Sequence, residues 1–181
     1  ISGGFGKIVL GEQDGAADNY ALNALDAIAE ESTIAFASSS ISTTSDIQGG
    51  AGDANKLTYH LPAMGGFTAG ASFSDSGTAA AANTGTDTTE YGFQYTQDVG
   101  GAVITLAGAS GTKEVAVKDS ESSALALKVV SGNISVIASR SNYEAVDEDI
   151  SNTGLAVRYD MGTGLVLAAY THSSQDDLDV G

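Results

Sequence analysis

The chain has 181 residues, enough for one substantial domain, and its 23 acidic and 7 basic side chains give a formal net charge of −16. This charge would repel a nucleic acid, and the lack of cysteine excludes disulfides and thiolate metal sites. No apolar run reaches the ~18 residues of a transmembrane helix, but a membrane-spanning strand needs only ~9–11 alternating residues.

Period-two alternation of apolar and polar residues predicts about nine strands along the chain. They cover roughly 3–12, 53–62, 65–75, 87–98, 101–112, 122–131, 132–142, 150–161 and 163–173. Short turns rich in Gly, Asn and Asp alternate with longer links at 13–52, 75–87, 112–122 and 142–150. In an antiparallel up-and-down sheet, this places every short turn at one end and every long link at the other.

The two faces of these strands differ in polarity. Leu57, Tyr59 and Leu61 alternate with Thr58 and His60. The same pattern recurs in Tyr91/Phe93/Tyr95, Leu125/Leu127/Val129 and Leu155/Val157/Tyr159. If the shared end residues are counted with the connections, 18 of the 23 carboxylates lie in the long links or the acidic stretch after Ser173, and Asp98 and Asp160 lie in short turns. Only Glu12, Asp53 and Glu90 are then left to the predicted strands. A charge is costly in hydrocarbon, so this pattern predicts an apolar face toward lipid and a small, hydroxylic face toward water.

Aromatic residues gather near the predicted strand ends, where rings with polar tips would suit the two membrane interfaces. They are Tyr59, Phe67, Phe73, Tyr91, Tyr95, Tyr143, Tyr159 and Tyr170.

The first long link, 13–52, exceeds the ~12–15 residues usual for a loop inside a compact domain. It contains a short helical pattern in which Asp18 or Asn19 is the expected N-cap and Leu22, Leu25 and Ile28 recur at a spacing of three. Such a link is typical of a functional segment.

Several stretches resemble the Gram-negative porin family, more closely its alphaproteobacterial members. The strongest is GGFGKIVLGEQDGAADN (3–19), a strand followed by a helix-bearing link. KLTYHLPAMGGFTAGASFSDSG (56–77), TEYGFQYTQDVGGAVITLAGASG (89–111) and DISNTGLAVRYDMGTGLVLAAYTHS (149–173) are similar to porin hairpins with periplasmic turns.

This resemblance implies an all-β fold, a transmembrane antiparallel up-and-down β-barrel of about 16 strands. Residues 1–181 would form a single, partial barrel domain, an internal fragment of roughly strands five to thirteen, because the terminal aromatic residue of the family is missing. Residues 13–52 would be the long constriction loop that folds into the barrel. The family also implies a homotrimer in the outer membrane, in contact with lipid and lipopolysaccharide. Its function would be passive diffusion of small hydrophilic solutes and ions, without enzymatic chemistry.

The resemblance further implies an acidic inner loop that faces a basic patch of the barrel wall. On this chain, the acidic loop residues would be Asp18, Asp26, Glu30 and Glu31, and the basic wall residues would be Lys7, Lys56, Lys128 and Arg158. The alternation places Lys128 and Arg158 on the lumen side, whereas for Lys7 and Lys56 a surface position is as good an interpretation. Arg140 shares parity with apolar residues and is excluded from the wall. The acidic balance would favour cations or neutral solutes.

No metal site or cofactor is predicted. His60 would point inward as a pore-lining or hydrogen-bonded residue and not as a metal ligand, because the other histidine, His172, lies on a distant strand. Asp147, Glu148, Asp149, Asp176, Asp177 and Asp179 could bind Ca²⁺, although their spacing matches no EF-hand. Two alternatives remain: a secreted, calcium-binding β-sandwich or lectin-like adhesion module, and an outer-membrane barrel of another kind.

Overall fold

The strands form one antiparallel sheet in which each strand pairs with the next in sequence. The computed structural model describes residues 1–22, 54–75, 87–114, 117–146, 148–162 and 165–176, with only the backbone of Ala54, Glu148, His172, Ser174 and Asp176. The ten strands are β1 (Ser2–Gly3), β2 (Gly6–Gln13), β3 (Ala54–His60), β4 (Phe67–Asp75), β5 (Asp87–Val99), β6 (Ala102–Lys113), β7 (Ser120–Ser131), β8 (Ile134–Ala145), β9 (Glu148–Asp160) and β10 (Val166–Asp176). The sheet is open, and β1 and β10 are the edges of its described part. The predicted all-β, up-and-down architecture is confirmed.

The nine predicted strands correspond to β2–β10, with two differences. The first predicted strand, 3–12, is divided, because the chain turns back between β1 and β2 and Gly6 adopts a φ of 111° there. The predicted long link 142–150 is wrong, since β8 continues to Ala145 and β9 begins at Glu148. These strand ends carry mainly polar residues. The sequence therefore shows no apolar–polar alternation there, although the backbone is paired.

The ends of the sheet differ in their connections. The turn end contains the connections 4–5, 61–66, 100–101, 132–133 and 161–165, and the loop end contains 14–53, 76–86, 114–119 and 146–147. Apart from Glu90, every carboxylate within the described strands lies at one of the first two or last two positions of its strand. The prediction that strand interiors are nearly free of carboxylates is therefore correct.

The outer face carries the large apolar side chains in register. Leu57 pairs with Phe73, Ala71 with Tyr91, and Leu106 with Leu127. Leu57 is 48% exposed and Leu127 is 45% exposed, because all the described strands belong to one sheet and no second sheet covers them. A β-sandwich would bury these side chains, so the sandwich alternative is wrong.

The inner face is small and polar, as predicted, but it also takes two of the expected interface aromatics. By register, Tyr143 and Tyr170 lie on this face, opposite Ser122 and Ala156 respectively. Tyr170 packs against the buried Ile137 and Ala156. The interface prediction is wrong for these two tyrosines, because the strand register turns both to the inner face. For Tyr170, the inner apolar cluster provides packing there.

The helix α1 (Ala16–Tyr20) follows β2 directly. Its N-cap is Gly15, which makes no side-chain cap bond, so the prediction of Asp18 or Asn19 as N-cap is wrong. Asn19 instead donates from Nδ2 to the Gly15 carbonyl at 2.7 Å and stabilises the helix from within. Leu25 and Ile28 lie outside the described residues. No helix in the described part of the chain is long and apolar enough to cross a membrane.

Candidate functional site

The helix α1 lies against the inner face of β4, β5 and β6, where glycines give it room. A Cβ on Gly92 would come within 2.6 Å of the Ala16 carbonyl oxygen and 2.7 Å of the Tyr20 Cβ. A Cβ on Gly70 would approach the Tyr20 ring to 2.8 Å. These two glycines pair directly across β4 and β5, so together they form a flat area of backbone on which the helix packs.

Alanines complete this contact on the side of β6. Ala17 and Ala109 are buried together, and Ala21 and Ala124 pack against them. This packing explains why β6 is apolar on both of its faces. The inner side of β6 holds the helix, and its outer side carries Leu106.

A buried polar network fixes the start of α1. The Ala16 amide donates to Ser72 Oγ at 2.8 Å, and Ser72 Oγ donates to Glu90 Oε2 at 2.7 Å. Lys56 Nζ lies 3.8 Å from the same carboxylate oxygen, and the side chains of Lys56 and Glu90 are each only 1% exposed. We term Lys56, Ser72 and Glu90, with the Ala16 amide, the α1 anchor. A buried charge is costly unless it is paired and hydrogen-bonded. Each group of the α1 anchor therefore depends on the others to offset the cost of its burial.

Gly15 lies directly over the anchor. A Cβ at this position would collide with the Glu90 carboxylate. Its φ of −74° is ordinary, so close approach, and not backbone conformation, requires glycine here.

Tyr20 fixes the other end of the helix. Its hydroxyl is hydrogen-bonded to His60 Nδ1 at 2.8 Å, and its carbonyl accepts a bond from Gln94 Nε2 at 3.0 Å. His60 therefore lies on the inner face as a hydrogen-bonded residue, as predicted. From Glu90 to Gln94, the contacts of α1 move along β5 toward the turn end, so α1 itself runs along the inner wall.

The four predicted basic residues all lie on the inner face by register. Lys7 pairs with His60, Lys128 with Thr105 and Ile137, and Arg158 with Ser135. They differ in environment, because Lys56 is buried in the α1 anchor whereas Lys7 is exposed. Arg158 is largely buried, and its Nη2 lies 4.0 Å from Asp160 Oδ2.

Arg140 lies on the outer face, opposite Leu125 and Thr153. Its Nη2 donates to Ser151 Oγ at 3.4 Å, and the strand pairing around it is continuous, without a bulge. Its exclusion from the inner wall is correct.

Of the predicted acidic loop residues, only Asp18 is described, and it lies within α1, partly buried. Asp26, Glu30 and Glu31 lie outside the described residues, as do Asp147, Asp177 and Asp179 of the proposed Ca²⁺ set. Within the described ranges, no three His, Asp or Glu residues are grouped as metal ligands. The acidic loop and the Ca²⁺ site both stay predictions.

Sequence reasoning missed the α1 anchor, although two signals pointed to it. Glu90 is a carboxylate in the middle of a membrane strand, and such a residue needs a partner. Gly70 and Gly92 fall on the inner parity of neighbouring strands, and strand glycines often mark the close approach of another backbone. The partners of Glu90 are Ser72 and Lys56, and Ser72 in turn accepts the Ala16 amide. These partners depend on the register of three strands, which the sequence spacing does not give.

Comparison with known proteins agrees with this geometry. The sequence model of a family described as Gram-negative porin matches residues 1–180, nearly the whole chain. No curated protein matches the chain with significant similarity.

Proposed function

Since the chain belongs to the Gram-negative porin family, whose members reside in the outer membrane, we propose that it forms a water-filled channel for passive diffusion of small hydrophilic solutes and ions. Residues 13–52 form the constriction loop of this channel. The channel selects solutes by size and charge, and it catalyses no reaction.

The observation that carries the proposal is the position of α1. A link that merely joined β2 to β3 outside the sheet would have no need of contacts on the inner face. Here the link begins with a helix that is anchored at Ser72 and Glu90 and reaches Gln94 and His60 further along the wall. A segment that starts in this direction reduces the cross-section available to solutes.

In this proposal, two sets of charges select solutes from either side of the cross-section. We assign the acidic side to Asp18 and to Asp26, Glu30 and Glu31, which lie outside the described residues, and the basic wall to Lys7, Lys128 and Arg158. Lys56 acts differently in this scheme, because its ammonium group is buried against Glu90 and holds the helix in place. A transverse field between the two sides orients dipolar solutes during transit.

Assembly as a homotrimer and kinship with the alphaproteobacterial members belong to the same proposal. The exposed apolar outer face, with Leu57, Tyr91 and Leu127, supports contact with lipid or with neighbouring subunits.

Liposome swelling tests this function. The protein purified from outer membranes is reconstituted, and swelling is followed in sugars of increasing size. We expect rapid swelling in a pentose, slower swelling in a disaccharide and none in a large oligosaccharide. Liposomes without protein are the control, and equal rates for all sugars or no swelling in any sugar would contradict the proposal.

A further inference from the structure

One basic side chain of a strand lies on the outer face of the sheet. All 7 Lys and Arg residues fall within the described ranges. Lys118 lies in a connection, and five others lie on the inner face by register: Lys7, Lys56, Lys113, Lys128 and Arg158. Arg140 of β8 faces outward, opposite Leu125 and Thr153, and it is exposed. A charged residue on a surface that meets lipid is costly, so it is a candidate for function.

Arg140 lies where the outer face changes from apolar to polar. On β8, the next outward residue toward the turn end is Ala138, and the next toward the loop end is Asn142. The neighbouring strands change at the same level, from Leu125 to Ser123 on β7 and from Leu155 to Thr153 on β9. Lipid headgroups meet acyl chains at such a border. Arg140 is therefore at the depth of the headgroups in the leaflet at the loop end.

The protein uses little of the hydrogen-bonding capacity of Arg140. Its Nη2 lies 3.4 Å from Ser151 Oγ, which is longer than the ~2.7–3.2 Å usual for an N–H···O bond. Ser151 Oγ itself donates to Asn142 Oδ1 at 3.0 Å. Arg140 makes no ion pair with the described residues, although its guanidinium is a planar fork of five N–H donors that suits phosphate and carboxylate.

We term Arg140 and its polar outward neighbours Ser123, Asn142, Ser151 and Thr153 the Arg140 patch. In the described strands, no outward carboxylate lies at the level of this patch. Glu144, the outward carboxylate of β8, is four residues away, about 13 Å along the strand, and it is paired with Lys118 at 2.7 Å.

The other outward carboxylates also occupy one of the two positions nearest the loop end of their strands. They are Glu12, Asp75, Asp87, Glu121 and Asp149. A second copy in the same membrane lies at the same depth, so its strands present their carboxylates at the loop end and not opposite Arg140. The lipid is the neighbour that carries an anion at this level.

We propose that the Arg140 patch binds the phosphate of an anionic lipid headgroup in the leaflet at the loop end. The guanidinium donates paired N–H···O bonds to the phosphate, and the hydroxyls of Ser123 and Thr153 donate to its remaining oxygens. The acyl chains lie along the apolar surface of Leu125 and Leu155. The outward carboxylates nearer the loop end repel the phosphate and so limit its depth. The inference goes beyond the channel function and needs only the location in the outer membrane.

Quenching of a single tryptophan by brominated lipid tests the inference. The chain contains no tryptophan, so Leu125→Trp introduces a unique reporter directly opposite Arg140, at a side chain that is 55% exposed. The protein is reconstituted in mixtures of phosphatidylcholine and phosphatidylglycerol in which one lipid or the other is brominated. We expect phosphatidylglycerol to be preferred beside the reporter about fivefold, the factor that corresponds to about 1 kcal/mol for one basic residue near anionic lipid.

The decisive variant adds Arg140→Gln to the reporter protein. Because Arg140 is exposed, the sheet should fold normally, and the preference for phosphatidylglycerol should fall to near unity. Lys118→Gln in the same background is the matched control. It removes one positive charge from an exposed side chain near the same end of the sheet and should keep the fivefold preference.

Four results would overturn the inference: equal binding of the two lipids beside the reporter, an unchanged preference in Arg140→Gln, an equal loss in Lys118→Gln, or no quenching by either lipid. The third would show that only net charge matters, and the fourth that another protein chain covers the patch. Conductance of the same preparation tests the proposed function separately. Its absence would overturn the channel and leave the lipid result standing.

Discussion

Two Lys–Glu pairs in this protein contain the same chemical groups in opposite environments. The side chains of Lys56 and Glu90 are 1% exposed, whereas those of Lys118 and Glu144 are 49% and 55% exposed. The exposed pair is the shorter one, at 2.7 Å, and its hydrogen bond raises the pKa of the Lys118 amine. The distance alone therefore does not decide which pair contributes more to stability. Exposed pairs contribute little, whereas the loss of one buried partner leaves an uncompensated charge.

We predict that Lys56→Met destabilises the folded protein by roughly 3–5 kcal/mol, the usual cost of removing one member of a buried pair. The substitution leaves the Glu90 carboxylate buried beneath α1 without its cation. The measurement is the free energy of unfolding in urea, with the protein in detergent micelles.

Lys118→Met is the matched control, because it makes the same change in the exposed pair and should alter stability little. Equal effects of the two substitutions would show that Lys56 is not held in a buried anchor.

At the level of single residues, the sequence predicted well which face of the sheet a side chain lies on, but it did not predict the hydrogen-bond partners of that side chain. Alternation alone placed Lys128, Arg158 and His60 on the inner face and Arg140 on the outer one, because a strand has a period of two. It could not identify the Tyr20 hydroxyl as the partner of His60 or the Ala16 amide as the partner of Ser72. Those contacts join residues far apart in the chain, and only the folded register brings them together.

Among the elements, α1 is the one whose position determines function. It has only five residues, too few for a stable isolated helix, so its stability comes from packing on Gly70, Gly92 and Ala109. The sequence did not predict α1: the helix expected from Leu22, Leu25 and Ile28 lies largely outside the described residues. Asp18 and Asn19, which were expected at an N-cap position, lie inside α1. In this protein, a glycine takes that place to make room for Glu90.

We predict that Gly92→Ala displaces α1 from the wall while the sheet remains intact. The added methyl group would lie 2.6 Å from the Ala16 carbonyl and 2.7 Å from the Tyr20 Cβ, and backbone cannot yield as a flexible side chain can. The expected result is noisier single-channel current with a changed mean conductance and unchanged far-ultraviolet circular dichroism.

Gly4→Ala is the control for this substitution, because nothing lies within 4 Å of a Cβ at Gly4. Channels with Gly4→Ala should give the same single-channel currents as the wild type. If Gly92→Ala also gives quiet, wild-type currents, then α1 does not lie against the inner wall as described.

At the scale of the whole molecule, the sheet has one layer with two chemically different sides. The outer side exposes Leu57, Tyr91 and Leu127, while Thr58 and Glu90 on the other side are buried. An exposed apolar face of this size is unusual for a protein in water but is expected for one whose solvent is lipid. The fold class could be predicted because this pattern repeats in strand after strand. The loop-end limits of β8 and β9 could not be predicted, because the chain leaves the apolar zone there and the alternation of apolar and polar residues stops.

The central claim is that neighbouring residues of one strand meet different solvents, lipid outside and water inside. The chain contains no cysteine, so single cysteines can be introduced at Leu127 and at Lys128 and labelled with a nitroxide without removing a native thiol. In proteoliposomes, the account predicts that the label at 127 collides mainly with oxygen, which is enriched in the lipid. The label at 128 should collide mainly with a water-soluble nickel complex. The same preference at both positions would contradict the account.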